Sequence, residues 1–320
     1  MTLHLNDKWV WDFWFAQDGA DTHIFYLQAP RALKDPDQRH WHSSIGHAVS
    51  QDLFHWEILP DALKPAENAD AWDGLTTWTG STFQHNKRWY LFYTGTSRSD
   101  DGHVQRIGLA TSEDLVNWQK YSDNPMINID PQWYEVFDEA VWYEQTWRDP
   151  WIFELNETFY ALITARSNKG EPSGRGVIGL ARSKDLLHWD VLPPITDPGA
   201  FAYLEVPQLL KINQRWYLLF CVERDRYANQ HLAKKGDRAV TGTHYKFADQ
   251  PLGPFRQLEY DVLHGDRKGK TYSGKLVKDQ TGAWKFMAAI QYDNLGQYVG
   301  DISDPMPIEI HEDGSLIVVS

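Results

Sequence analysis

The sequence predicts an all-β fold, a five-bladed β-propeller with four-stranded antiparallel blades. A pattern of apolar and aromatic runs recurs five times along the 320 residues, with a mean period of roughly 60 residues. Each copy holds three or four short runs rich in β-branched and aromatic residues, which Gly, Pro, Asn and Asp interrupt. Helical 3.6-residue periodicity is weak throughout. A pair of β-sandwiches would not repeat so regularly, and a β-helix has a far shorter repeat.

Each copy is predicted to begin with two neighbouring strands. The first is a short apolar run, at 9–15, 77–83, 147–153, 204–210 and 272–278. The second is rich in aromatic residues, at 23–30, 88–96, 158–166, 215–223 and 284–293. Because the copies extend from about residue 9 to about residue 310, we expect residues 1–320 to form a single domain.

A turn motif, S-x-D-L-x-x-W, follows the aromatic run in the first three copies, at 50–56, 112–118 and 183–189. Degenerate forms follow within 242–258 and 297–310. Ser and Asp bond to nearby backbone groups in turns, so the motif predicts a turn between two strands. Its Leu and Trp are expected to fill the gap between neighbouring units. The long loops at 60–76, 122–146, 167–176 and 225–241 are predicted to shape one mouth of the central channel.

The charge balance limits the partners of this chain. Lys and Arg number 31 and Asp and Glu number 44, which leaves a net charge of −13 and argues against binding to nucleic acid or to an anionic membrane. No apolar run approaches the roughly 18 residues of a spanning helix, and the first residues lack the pattern of a signal peptide. Cys221 is the single cysteine, so no internal disulfide forms. We therefore expect a cytoplasmic protein.

Three acids stand at the predicted starts of innermost strands. These starts hold Asp12, Gly80, Asp149, Glu205 and Gly274. An acid inside an apolar strand is costly to bury without a partner or a purpose. A salt bridge at a strand end, such as one with Arg148, would explain a single acid, whereas three acids at equivalent positions of a repeat indicate a shared site.

Converging carboxyl groups suit glycoside cleavage, in which one acid protonates the leaving oxygen and a second is ionised. Glu205, between Leu204 and Val206, is the better candidate for a raised pKa, and Asp149, beside Arg148, for a permanent anion. The 14% aromatic content, with 16 Trp and 15 Tyr, fits either a core of large side chains or a site that stacks on sugars.

The motifs resemble those of the propeller clan formed by glycoside hydrolase families 32, 43 and 68. W-T-G-S (78–81), R-D-P (148–150) and E-V-P (205–207) look like the family 32 motifs W/F-S-G-S, R-D-P and E-C-P, and 44–63 resembles the family 32 segment after the first blade's core. The resemblance implies hydrolysis of β-fructofuranosides with retention of configuration. It implies Asp12 as nucleophile, Asp149 as transition-state stabiliser and Glu205 as acid/base.

The chain also departs from family 32. The segment V-W-D-F-W around Asp12 replaces W-M-N-D-P-N-G and resembles the V-W-D-S-W of the family 68 fructosyltransferases, and the usual C-terminal β-sandwich of family 32 is not expected. Three alternatives therefore stay open. They are a family 43-like inverting arabinofuranosidase or xylosidase, a fructosyltransferase, and a sugar-binding propeller without catalysis.

Four residues match positions at which family 32 contacts the sugar, and the resemblance implies that they bind the carbohydrate: Gln28, Trp41, Trp78 and Thr79. Arg148 is predicted to bond a sugar hydroxyl and to pair with an acid. Gln28 could equally bond backbone at a strand end. His40, His42 and His47 resemble a metal-binding spacing, but without a cysteine or a tight acid cluster we predict no metal site. No nucleotide-binding loop and no G-x-S-x-G motif occurs, and no cofactor is expected.

Overall fold

The computed structural model describes residues 3–257 and 261–319. Within these residues, 21 strands form five sheets, which are the blades of a β-propeller. The predicted fold class is confirmed. The innermost strand of each blade contacts those of its two neighbours around the centre.

The blades follow the order of the chain, and in each the innermost strand comes first. Blade I contains β1 (Lys8–Asp18), β2 (Asp21–Pro30), β3 (Ser44–Ser50) and β4 (Glu57–Leu63). Blade II contains β5 (Thr76–His85), β6 (Arg88–Thr96), β7 (Arg106–Ser112) and β8 (Gln119–Lys120). Blade III contains β9 (Trp147–Glu154), β10 (Phe159–Arg166), β11 (Gly176–Ser183) and β12 (Trp189–Leu192). Blade IV contains β13 (Glu205–Ile212), β14 (Arg215–Val222), β15 (Thr241–Ala248) and β16 (Val262–Asp266).

Blade V has five strands because its third strand is divided. It contains β17 (Thr271–Lys278), β18 (Trp284–Tyr292), β19 (Tyr298–Ile302), β20 (Met306–Ile310) and β21 (Leu316–Val318). Both β19 and β20 pair with β18, and Pro305, which has no N–H to donate, lies between them. This division explains the degenerate motif at 297–310. Leu258, the last residue of the other degenerate motif, lies outside the described residues.

Helices occur only in the connections of the described chain. The α-helix α1 spans Asn229–Lys235, and short 3-10 helices span Arg31–Leu33, Pro36–His42, Arg98–Asp100, Pro172–Gly174, Arg224–Arg226 and Gly236–Arg238. None of these helices is long and apolar enough to cross a membrane.

The S-x-D-L-x-x-W motif forms the predicted turn between the third and fourth strands of blades I to III. In blade III, the Ser183 hydroxyl accepts from the backbone N–H groups of Asp185 and Leu186, at 3.1 and 2.9 Å. The central leucines have positive φ, near +65°, and are almost fully buried: Leu53, Leu115 and Leu186. The interlocking hydrogen bonds stabilise a backbone conformation that leucine seldom adopts.

Among the described residues, five large apolar clusters lie between the blades, one for each pair of neighbours. Leu115 of blade II packs with Trp14 of blade I, and Trp189 of blade III packs edge-on against Phe92 of blade II at 5.4 Å between ring centroids. The motif residues therefore fill the gap between blades, as predicted. Blades I and V close the ring, with Leu3 pairing with Ile302.

Candidate active site

Each innermost strand carries a β-bulge at the same level of the channel. The pairing register shifts between Trp11 and Phe13 in β1 and between Trp78 and Gly80 in β5, and corresponding shifts occur in the other three blades. Bulges redirect side chains and commonly lie beside active sites. Here they define two rings of side chains around the channel.

The pre-bulge ring consists of the last paired residue of each blade before the bulge: Trp11, Trp78, Arg148, Glu205 and Tyr272. The bulge ring consists of the first residue within each bulge: Asp12, Thr79, Asp149, Val206 and Ser273. The last three of these have φ of +57°, +47° and +52°. For β-branched Val206 this backbone conformation is strained, and such strain is typical of functional sites.

These rings correct the predicted equivalence of the three acids. Asp12 and Asp149 belong to the bulge ring, whereas Glu205 belongs to the pre-bulge ring, where Arg148 stands in blade III. The predicted strand start Gly80 follows the bulge and has a packing role instead. A Cβ at Gly80 would lie 1.9 Å from the Phe92 carbonyl oxygen.

The three acids nevertheless line one cavity of about 400 Å³ at the end of the channel. Its wall on blades I and II is mainly aromatic and apolar, with Trp11, Leu27, His40, Trp41 and Trp78. Its wall on blades III and IV is charged and phenolic, with Tyr143, Glu144, Arg148, Tyr203, Glu223 and Arg226. The cavity thus combines flat rings with converging polar groups, which is typical of a ligand site.

Asp12 is half-buried and is held by hydroxyl groups from two other blades. Thr79 Oγ1 donates to Asp12 Oδ2 at 3.1 Å, and Ser273 Oγ donates to Asp12 Oδ1. Each carboxyl oxygen therefore has one donor. This arrangement orients the group without neutralising it.

Asp149 lies deeper and is 4% exposed. Its Oδ2 accepts from Thr164 Oγ1 at 2.9 Å and from the Val206 N–H at 3.1 Å. Burial raises the pKa of Asp149 to about 6, Asp12 adds to the rise, and Arg148 opposes it. Asp149 is therefore not the permanent anion that its position beside Arg148 predicts, because desolvation outweighs the neighbouring guanidinium and raises the pKa of the carboxyl group. With a pKa near 6 the carboxyl group is still mostly ionised at pH 7.

Glu205 is held between a cation and a phenol. Its Oε1 accepts from Arg148 at 2.7 Å, and its Oε2 accepts from the Tyr272 hydroxyl. Burial raises the pKa of Glu205 to about 8, and the nearby Glu223 and Asp149 add to the rise against the effect of Arg148. The predicted raised pKa is confirmed.

Arg148 connects the acids of the charged wall. It is 7% exposed, and its Nη1 donates to Glu144 at 2.7 Å and to Gln105 at 3.0 Å. Its Nε lies 3.6 Å from Asp149 Oδ2. Both Nη atoms of the guanidinium thus donate to protein acceptors.

Four of the five predicted carbohydrate-binding residues line the cavity: Trp41, Trp78, Thr79 and Arg148. Gln28 does not. Its amide donates to Asp61 at 2.7 Å and to Ser44 at 3.2 Å, so it bonds within blade I. This placement corrects the predicted sugar contact of Gln28. The alternative of a bonded residue is also met only in part, because the partners of the amide are side chains and not backbone groups.

The three histidines of the apparent metal spacing have separate partners. His47 bonds to His23 at 2.8 Å, and His42 bonds to the Gln38 carbonyl at 3.0 Å. His40 alone lines the cavity, where burial lowers its pKa to about 3. No group of three or more metal-binding side chains occurs among residues 3–257 and 261–319.

Sequence reasoning missed several residues of the site. Tyr272 and Ser273 stand directly before Gly274, which the sequence predicts to be at the start of an innermost strand. Neither residue is acidic, so nothing in the sequence pattern indicated that they belong to the site. The connection before β3 supplies Arg39 and His40, and the loop before β7 supplies Gly102 and His103. Of the four loops predicted at the mouth, 122–146 and 225–241 reach the cavity wall, whereas 60–76 and 167–176 do not.

A five-bladed propeller with carboxyl groups gathered at its channel defines the class of propeller glycoside hydrolases. Within that class the chain belongs to glycosyl hydrolase family 32, because the N-terminal domain of that family matches residues 16–298. The match begins after Asp12 and includes Asp149 and Glu205.

Curated relatives include the sucrose-6-phosphate hydrolases of Zymomonas mobilis and Bacillus subtilis. They are 27% identical over 257 residues and 28% identical over 224 residues, which cover 75% and 67% of this chain. The matches cover 46% and 43% of those proteins, so the chain spans less than half of their length. A vacuolar acid β-fructofuranosidase of a Rosa cultivar is 35% identical over 153 residues, 44% of this chain and 22% of that protein.

Solved structures share the fold over nearly the whole chain. The inulosucrase of Halalkalicoccus jeotgali bound to kestose has a TM-score of 0.77 at 21% identity and matches 98% of this chain and 87% of its own. A β-fructofuranosidase of Bombyx mori in complex with sucrose has a TM-score of 0.74 at 22% identity, matching 99% of this chain and 64% of its own. These similarities show a common propeller.

Proposed function

We propose that this protein is a glycoside hydrolase that cleaves a β-fructofuranoside, of the sucrose or fructo-oligosaccharide type, with retention of configuration. The observation that carries the proposal is the difference between two acids in one cavity. Glu205 has a pKa of about 8, whereas Asp149, with a pKa of about 6, is mostly ionised at pH 7. With such a pair, Glu205 can donate a proton at pH 7 while Asp149 remains negatively charged. Membership of family 32 supports the fructosyl substrate.

The first half of the reaction breaks the glycosidic bond. Protonated Glu205 donates its proton to the leaving oxygen, while the Asp12 carboxylate attacks the anomeric carbon. The hydroxyl groups of Thr79 and Ser273 hold Asp12 in position. Asp149 stabilises the positive charge that develops on the fructosyl ring. The products are the leaving alcohol and a fructosyl ester of Asp12.

The second half releases the fructosyl group. Glu205, now ionised beside Arg148 and Tyr272, takes a proton from water, and the water oxygen attacks the anomeric carbon. Asp12 leaves as a carboxylate and Glu205 regains its proton. Two inversions give net retention.

A product assay tests this proposal. The protein is incubated with sucrose, inulin, levan and an aryl α-arabinofuranoside, and the first-formed anomer is identified by NMR. We expect β-fructofuranose from sucrose as the first product. Transfer of fructosyl units to sugar would instead assign a fructosyltransferase, and an inverted product or activity confined to the arabinofuranoside would contradict the proposal.

The partner in this proposal is the carbohydrate substrate. The absence of a nucleic-acid partner, the absence of a membrane partner and a cytoplasmic location stay predictions.

A further inference from the structure

The cavity has two unlike walls, and this difference bears on the leaving group. In the proposed reaction Asp12 must reach the anomeric carbon and Glu205 must reach the leaving oxygen. The fructosyl ring therefore lies toward Asp12 and the aromatic wall of blades I and II. The leaving group lies beyond Glu205, against the wall of blades III and IV.

Three side chains of that wall are accessible from the cavity: Tyr143, Glu223 and Arg226. Tyr143 is 45% exposed. The side chains of Arg226 and Glu223 are 32% and 40% exposed. These groups offer a ring face, a cation and a carboxylate to whatever is bound there.

Arg226 is packed but not saturated with hydrogen bonds. Its guanidinium carbon lies 5.9 Å from the Tyr143 ring centroid and 5.6 Å from that of Tyr203. Its buried Nε has no hydrogen-bond partner among the described residues. The nearest carboxylate oxygens, of Glu223 and Asp225, are 3.6 and 3.7 Å away. The buried Nε cannot reach a ligand, but the rest of the guanidinium is accessible on the cavity wall, so a ligand hydroxyl can accept from its Nη groups while another donates to Glu223.

We propose that Tyr143, Glu223 and Arg226 form the subsite for the leaving group and that this subsite takes a neutral, unphosphorylated hexosyl unit; the inference rests on the proposed function. A guanidinium beside a carboxylate presents both donors and acceptors, which suits the hydroxyl groups of a sugar.

The charges of the cavity disfavour a phosphorylated leaving group. Among the described residues that line the cavity, five carry carboxyl groups and three carry guanidinium groups, and four of the carboxyl groups remain to oppose a second anion when Glu205 is protonated. Arg148 is engaged by Glu144 and Glu205, and Arg39 lies over the rings of Trp11 and Tyr298 on the opposite wall. Arg226 is the remaining cation, and two carboxylates already face it. A phosphate monoester, with a charge of about −1.5 to −2 at pH 7, would meet net repulsion there.

The test compares three fructosides at pH 7: sucrose, sucrose phosphorylated at C6 of the glucosyl unit, and an aryl β-fructofuranoside. We expect kcat/KM for sucrose to exceed that for the phosphate ester at least 10-fold. In Arg226→Gln, kcat/KM for sucrose should fall at least 10-fold more than for the aryl fructoside, whose leaving group lacks hydroxyls. In Glu223→Lys, the ratio of kcat/KM for the phosphate ester to kcat/KM for sucrose should rise at least 10-fold.

The control variant is Arg182→Gln. Arg182 is exposed on blade III and pairs with Asp190, so its replacement should leave kcat/KM unchanged for all three fructosides. Circular dichroism checks that each variant is folded. A phosphate ester cleaved as well as sucrose would overturn the inference, as would an equal loss on sucrose and aryl fructoside in Arg226→Gln. Cleavage of the aryl fructoside alone would overturn this inference and leave the proposed function standing. Cleavage of none of the three would overturn both.

Discussion

At the scale of single residues, the candidate site depends on how burial and neighbouring charges set the pKa of each carboxyl group. Asp149 and Glu205 both lie in low-dielectric surroundings, and Arg148 opposes the rise of pKa in both. Burial is the largest cause of the raised pKa of Glu205, and the charges of Glu223 and Asp149 add to it. The two groups therefore differ in charge at neutral pH, although both contact the same arginine.

This difference predicts a bell-shaped pH dependence. Activity needs ionised Asp149 and protonated Glu205, so kcat/KM should fall below about pH 6 and above about pH 8. In Glu223→Gln a like charge beside Glu205 is lost, so the pKa of Glu205 falls and the basic limb moves to lower pH. Initial rates with an aryl fructoside from pH 4 to 10 measure both limbs. A basic limb that does not move in the variant would contradict this account.

Asp12 is predicted to act covalently. Replacing its carboxylate by an amide in Asp12→Asn keeps both hydroxyl partners within reach but removes the nucleophile. We expect kcat to fall about 10³-fold or more while the substrate still binds, as several kcal/mol of barrier would require. Steady-state kinetics and calorimetric titration with sucrose measure the two effects. Near-normal turnover would exclude Asp12 as the nucleophile.

At the scale of elements, the bulges of the innermost strands position the site. The bulge of β13 is held from blade V, where Lys275 is 2% exposed and its Nζ donates to the Val206 carbonyl. The N–H of Val206 in turn donates to Asp149. Glu205 is the residue before this bulge, so one lysine orients two of the three acids through the backbone. Burial lowers the pKa of Lys275 to about 8.

Lys275→Met is therefore expected to slow catalysis, although the side chain at this position does not contact the substrate. The Val206 carbonyl loses its donor, a loss of about 1–3 kcal/mol in stability, and the acids shift. We expect kcat to fall about 10-fold or more with a smaller change in KM, because small misplacements of reacting groups are costly. The control is Lys278→Met on the same strand, an exposed lysine over the Trp284 ring. An unchanged kcat in Lys275→Met would show that the bulge does not need this contact.

At the scale of the whole molecule, the ring must close for the walls of the cavity to meet. Arg31 joins blades I and V. It donates to the carbonyl oxygens of Leu5, Lys8 and Val299 at 2.9–3.1 Å and pairs with Asp301 at 3.2 Å. The backbone pairing of Leu3 with Ile302 lies beside it. The closure thus rests on polar contacts between distant parts of the chain.

Arg31→Met should loosen this closure. Several partly buried carbonyl groups lose their donor, so we expect a stability loss of about 2–3 kcal/mol and a Tm lower by about 3–5 °C. Differential scanning calorimetry measures the change. The exposed pair of Arg182 and Asp190 supplies the control, because Arg182→Met should change the stability by less than about 1 kcal/mol. Equal Tm values for the two variants would contradict a role of Arg31 in closure.

The sequence by itself determined the repeat, the turn motif and the three acids. Strand periodicity and the bonding of Ser and Asp to adjacent backbone depend on nearby residues, so they can be read along the chain. Only the tertiary structure decided which residues form the pre-bulge ring and the bulge ring, which partners the acids have, and where Gln28 lies. Ser273 reaches Asp12 across 261 residues of sequence, and only closure of the ring brings them together. The raised pKa of Asp149 has the same origin, because burial depends on all the blades that surround the channel.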